Sequence, residues 1–135
     1  MYVDNELLLS DEQALVATAY STNTIDLAAK RKVWRGRPVY VVVTVDVSFA
    51  VATSYEIQVV ISENANLSSH KLCASTGAIV IASLTAGRAP IVIPLGNALD
   101  ENSEKYLGLQ YVEVGSTENA GKVTAFIALE PQTNV

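Results

Sequence analysis

The side chains in this sequence with the most reactive potential are its single histidine and single cysteine, His70 and Cys73, three positions apart in the run HKLC. A cysteine and a histidine can work as nucleophile and base, but they need a third group to orient the base and are usually brought together across a fold. Here both fall in or beside residues 63–70, ENANLSSH, which are rich in turn formers and read as a polar loop. The simpler reading is a solvated loop histidine beside a partly buried thiol. One histidine excludes a multi-histidine metal site, and one His with one Cys is a poor zinc set. Carboxylates are more numerous, grouped as Asp11/Glu12 and as Asp100/Glu101/Glu104. Paired acids serve glycoside hydrolysis, yet these sit in loops full of solvating neighbours. Asp46 and Glu56 differ, since each interrupts a long apolar run. On a solvent-facing side they are surface charges; across a groove they would hold a cation or a sugar. No glycine-rich phosphate loop and no GxSxG motif is present. The search therefore points away from an enzyme.

One segment has the composition of a binding surface. Residues 30–37, KRKVWRGR, hold five of the nine basic residues and the only tryptophan. Lys30, Arg31, Lys32, Arg35 and Arg37 surround Trp34. Arginine and tryptophan are enriched where protein interfaces concentrate their energy, and clustered charge steers encounter. The same residues could contact phosphates with a stacking platform between them, or form a solvated loop whose tryptophan caps the core. Gly36 and Pro38 frame the exit of this loop.

The elements that would carry these residues are strands. From Val39 to Val47 every odd position is valine, with Tyr40, Val42, Thr44 and Asp46 between. Successive side chains of a strand point to opposite faces, so this is one dry face and one mixed face. After SFAVAT the alternation resumes with Tyr55, Ile57, Val59 and Ile61. Two such runs joined by a short connection predict an antiparallel pair at the centre of a sheet. Residues 1–10, with Leu7, Leu8 and Leu9 after an acidic lead, predict a short N-terminal arm or edge strand. Residues 13–20, QALVATAY, carry both helix and strand signals and are read as strand. Residues 71–74 suggest a short edge segment, and residues 77–84, GAIVIASL, a further strand that is buried or half-buried. Pro90 and Pro94 cannot donate to a ladder, which puts residues 89–95 at an edge or gives them bulges. Residues 105–114 and 122–130 alternate as strands, the first with Leu107, Leu109 and Tyr111 on one face. Residues 96–103 read as an acidic loop. The expectation is an all-β, jelly-roll-like antiparallel β-sandwich of seven to nine strands in a single domain.

The totals agree with that class. A chain of 135 residues with half its residues hydrophobic and 17% charged is too apolar to be disordered. A formal net charge of −5 disfavours general nucleic-acid binding, which needs a basic surface. One cysteine allows no internal disulfide, and MYVDNELLLSDEQ lacks the basic and apolar regions of a signal peptide. No run approaches the length of a membrane span, so the chain is expected in the cytoplasm of the cell that makes it, or in something assembled there.

Taken end to end, the chain resembles the small capsid cement (decoration) proteins of tailed bacteriophages, in the family typified by the cement protein of a Bordetella phage. The resemblance is carried by MYVDNELLLSDEQALVATAYSTNTIDL, GRPVYVVVTVDVSFA, SSHKLCASTGAI, LTAGRAPIVIPL, SEKYLGLQYVEV and AGKVTAFIALEPQ, in that order. It implies a jelly-roll-like sandwich, made in the host bacterial cytoplasm, that sits on the exterior of an icosahedral virion shell. Its partners would be the major capsid protein and further copies of itself, as a small homo-oligomer such as a dimer, without cofactor, catalysis, nucleic acid or membrane. The expected contact residues are Leu7, Leu8 and Leu9 of the N-terminal segment, with Lys30, Arg31, Lys32, Trp34, Arg35 and Arg37 of the basic loop. A carbohydrate-binding or receptor-adhesion sandwich is the competing expectation; it would present exposed aromatics in a groove.

Overall fold

The computed structural model describes residues 3–28, 39–95 and 104–129. These form two antiparallel sheets. Strands β1 (Leu8–Ala14), β9 (Lys122–Ala128), β4 (Tyr40–Val47) and β7 (Ile91–Pro94) make one sheet in that spatial order. The other runs β2 (Ala19–Tyr20), β8 (Tyr106–Val114), β5 (Ser54–Ser62) and β6 (Lys71–Val80), with β3 (Ile25–Asp26) also paired to β8. Strands far apart in sequence lie side by side, and the two orders interleave as in a jelly roll. The all-β sandwich read from the alternating pattern is what forms.

The two long runs nevertheless do not pair with each other. Strand β4 lies between β9 and β7, and β5 lies between β8 and β6, in the opposite sheet. The expected central hairpin is a crossover from one sheet to the other. Alternation reports which side chains face the core, and that is the same whether two strands lie side by side or face to face. Val41, Val43 and Val45 of one sheet and Tyr55, Ile57, Val59 and Ile61 of the other are all buried in a single core cluster with Leu107, Leu109 and Tyr111. The expected dry face is dry as far as Val45; Val47, the last of the valine series, is 41% exposed.

Three other expectations change. Residues 13–20 are not one strand: β1 ends at Ala14, Leu15 turns into the core, and the chain re-enters as β2 at Ala19. Segment 71–74 and the first part of segment 77–84 belong to one strand, β6, bulged twice against β5; the rest of the second segment leaves it in a 3-10 turn at Ile81–Ser83. Gly77, at φ +68, lies within one of those bulges, where its backbone freedom spares the strand a break. Loop 63–70 is less solvated than its composition suggests. Leu67 is fully buried over the outer face of β8, where Gly108 leaves it room: a Cβ there would lie 2.5 Å from the Leu67 side chain and force it to shift.

Among the described residues the outermost strands of both sheets are all interrupted. β7 is short and ends in Pro94; β1 has two register shifts; β2 and β3 are two residues each; β6 carries its bulges. Prolines, bulges and short strands are common devices for protecting sheet edges.

A buried polar chain ties the edge strand β1 to the opposite sheet. The Tyr111 hydroxyl reaches Ser10 Oγ at 2.8 Å, and Ser10 Oγ donates to Gln13 Oε1 at 2.7 Å. The single hydroxyl proton of Ser10 is used on Gln13, so Tyr111 is the donor to Ser10. Gln13 closes the set by accepting from Thr22 N and donating to Tyr20 O. Burial raises the Tyr111 pKa above its ordinary value, with the Ser10 contact opposing. Ser10→Ala strands the buried Tyr111 hydroxyl and is expected to cost about 1–3 kcal/mol in a denaturant melt, and Tyr111→Phe about 1 kcal/mol.

Candidate functional site

The residues singled out for reactivity are held apart. The Nδ1 atom of His70 lies 2.9 Å from Tyr20 Oη and 3.2 Å from Leu67 O, which engages the ring with its own loop and β2. Burial pushes the Cys73 thiol up to about 11, against a smaller pull from Lys71, so thiolate is scarce at neutral pH. Asp46 and Glu56 belong to different sheets and stand on opposite outer faces, not across one groove. Asp46 accepts from Thr124 Oγ1 at 2.6 Å; Ser75 and then Gln58 hydrogen-bond Glu56 and hold its carboxyl below the ordinary range. Glu104 is buried and takes the Lys71 ammonium at 2.6 Å. Asp100 and Glu101 lie outside the described residues. Among the described residues no three His, Cys, Asp or Glu side chains gather as a metal set. A polar hollow of about 460 Å³, lined by Asn5, Glu6, Leu8, Thr22, Asn23 and Thr24, is wide open to solvent.

The N-terminal leucines divide: Leu7 ends a 3-10 turn, and Leu8 and Leu9 open β1 facing opposite ways. Leu9 is fully buried in the core, Leu7 packs half-buried against it, and Leu8 points to the other face in register with Phe126. Leu9 therefore serves its own sandwich and is not a surface contact, which corrects the expectation for that residue. Its removal would disturb folding before it disturbed binding. Lys30, Arg31, Lys32, Trp34, Arg35 and Arg37 lie outside the described residues.

The most highly organised polar site is at none of the positions singled out from the sequence. It lies at the end of the sandwich where the chain passes between sheets. Glu118, 2% exposed, turns its carboxylate inward from the loop between β8 and β9. Oε1 accepts from the main-chain N–H groups of Ala50, Asn119 and Ala120, at 3.1, 3.1 and 3.0 Å. Oε2 accepts from those of Val51 and Ala52 at 3.0 and 3.1 Å. Burial works against the charge, but the main-chain donors prevail and hold the carboxyl down at about 2. Two glycines let the loop close: Gly115 and Gly121 have φ +99 and +101, and a Cβ on either would strike Thr53 or the Phe49 ring. Neighbouring connections are stitched to this point by Leu15 N→Gly121 O, Phe49 N→Leu84 O, Thr53 N→Val114 O and Ile81 N→Thr53 O. In the sequence, GSTENAG shows only a turn-rich loop. An acid between two glycines is the one visible signal, and many solvated loops share it.

Among the described residues the carboxylate with the most main-chain partners, Glu118, is spent on holding loops. No protein of curated function matches the sequence. The sequence model of the Bbp16 family matches residues 9–127, from the first strand to the last. That span covers every strand of both sheets except the first residue of β1 and the last of β9. The chain belongs to the Bbp16 family, a protein family of Bordetella-phage type.

Proposed function

We propose that this chain is a capsid cement protein. It binds the outer surface of a tailed-phage icosahedral shell and bridges neighbouring major capsid protein subunits. It does so as a small homo-oligomer, with a dimer as the expected form. The observation that carries this reading is the family match over nearly the whole chain. The physical character of the sandwich supports it. A shell clamp gains strength from several modest contacts engaged together, because linked sites raise effective concentration. It also loses less entropy on docking when its body is already rigid. Leu7, Leu8 and the basic segment with Lys30, Arg31, Lys32, Trp34, Arg35 and Arg37 are proposed contacts. The sugar-binding alternative finds no support among the described residues, where no aromatic side chain is exposed and Tyr55 and Tyr111 lie in the core.

The test is co-sedimentation of the purified protein with expanded shells from phage lacking it. Saturable binding and greater resistance of the shell to heat are expected; a wild-type protein that leaves shells bare refutes the reading. Charge reversal at Lys30, Arg31, Lys32, Arg35 and Arg37 is expected to weaken binding by at least about tenfold. Unchanged affinity would remove that segment from the contact set.

A further inference from the structure

The N–H groups around Glu118 form a cradle whose walls are held by bonds outside it. Three of the donors, on Ala50, Val51 and Ala52, are successive, and successive main-chain N–H groups can form concavities that bind anions. The residues flanking this run have anchors of their own. Phe49 N bonds Leu84 O at 3.0 Å, and the Phe49 ring tilts against Tyr55 with centroids 4.9 Å apart. Thr53 N bonds Val114 O at 2.8 Å, and Thr53 O accepts from Ile81 N at 3.1 Å. The other wall, Asn119 and Ala120, runs from Glu118 to Gly121, whose carbonyl accepts from Leu15 N at 3.1 Å. Glu118 N donates to Glu113 Oε1 at 2.6 Å. None of these anchoring bonds uses the Glu118 side chain.

We propose that this cradle is a carboxylate-binding site in its own right, filled in the native chain by Glu118 and able to take a free small carboxylate when that side chain is cut back. The ligand follows from what Glu118→Ala leaves empty. Alanine keeps Cβ, so the vacated volume is that of Cγ, Cδ and both oxygens, which matches acetate atom for atom apart from hydrogen. One acetate oxygen would meet the N–H groups of Ala50, Asn119 and Ala120, and the other those of Val51 and Ala52. A longer acid would collide with the remaining Cβ, because the site is closed: Glu118 is only 2% exposed. The low pKa of the native carboxyl agrees with donors that favour negative charge there. Glu113 is the neighbouring acid and opposes an anion, but acetate only restores the charge that Glu118 already carries. A free anion loses translational freedom that the tethered side chain does not, so the affinity is weak.

The experiment compares thermal melts of the full chain, of Glu118→Ala and of Glu118→Gln at neutral pH. Each is melted in sodium acetate, in sodium chloride and in chloride with added acetamide. A ligand that binds only the folded form raises the melting temperature with its concentration. In about 0.2 M acetate, Glu118→Ala is expected to melt about 3 °C or more above its value in chloride. Acetamide has the same size without the charge and should give no gain. Wild type and Glu118→Gln have filled cradles, so their response to acetate measures the general effect of the salt. If Glu118→Ala is unfolded in chloride, the same titration is run in sucrose, which favours the compact state by exclusion from the surface. An acetate gain in Glu118→Ala no larger than in Glu118→Gln overturns the proposal and shows that the side chain itself gathers the loops. An equal gain from acetamide also overturns it.

Discussion

Glu118→Ala is expected to lower the unfolding free energy by about 3 kcal/mol or more, and to lower the melting temperature accordingly. The reasoning begins with the donors. Five main-chain N–H groups from two loops converge on this one carboxylate. Alanine removes the acceptor from all of them, and those that stay buried lose their partners. Glu118→Gln keeps one oxygen acceptor but brings two N–H donors toward a site made of donors, so it is expected to fall between wild type and alanine. The charge also gives the effect a pH signature. The folded carboxyl is held at about 2, below its ordinary 4.5, so the charged form favours folding. That contribution is complete above about 4.5 and fades as pH falls toward about 2. In Glu118→Gln this part of the acid-induced loss should be absent. Urea melts of both proteins at several pH values between those limits would show it, and parallel acid profiles would refute the assignment.

Gly115→Ala should rival that loss, with an expected cost of about 2–4 kcal/mol. Two causes combine at this position. The backbone sits at φ +99, outside the region where side-chain-bearing residues are comfortable. The added methyl would also meet Thr53, whose main-chain nitrogen would lie 2.9 Å away. That nitrogen is already committed to Val114 O at 2.8 Å, so it cannot retreat without breaking the bond that closes this end of the sheet. Gly87 is the internal control. It has a similar positive φ of +83, but a methyl group there would meet nothing within 4 Å, so Gly87→Ala should cost only its backbone strain. Equal melting temperatures for the two variants would show that the Thr53 contact is not limiting.

Most of the strand content is legible in the sequence because alternation is a local property. The buried odd valines, the Leu107–Leu109–Tyr111 face and the proline-limited edge all follow from side-chain direction along one strand. Neighbour choice is not legible, since β4 and β5 bury the same residues face to face as they would side by side. Strand β6 reads as two pieces because its two bulges break the period that marks a strand. Leu67 is hidden by its polar neighbours, and its burial depends on the glycine at 108, distant in sequence. The contact candidates fare unevenly for the same kind of reason. Three adjacent leucines look like an exposed apolar tip, but Leu8 and Leu9 open a strand and must face opposite ways, and Leu9 turns inward.

The interrupted margins of the two sheets have a consequence for behaviour in a crowd. A flank with a straight, unbroken row of peptide groups would let copies zip together strand after strand, without a natural stopping point. Among the described residues every flank is cut short, kinked or capped by an imino acid. Chains crowded together are thereby hindered from joining edge to edge into fibres.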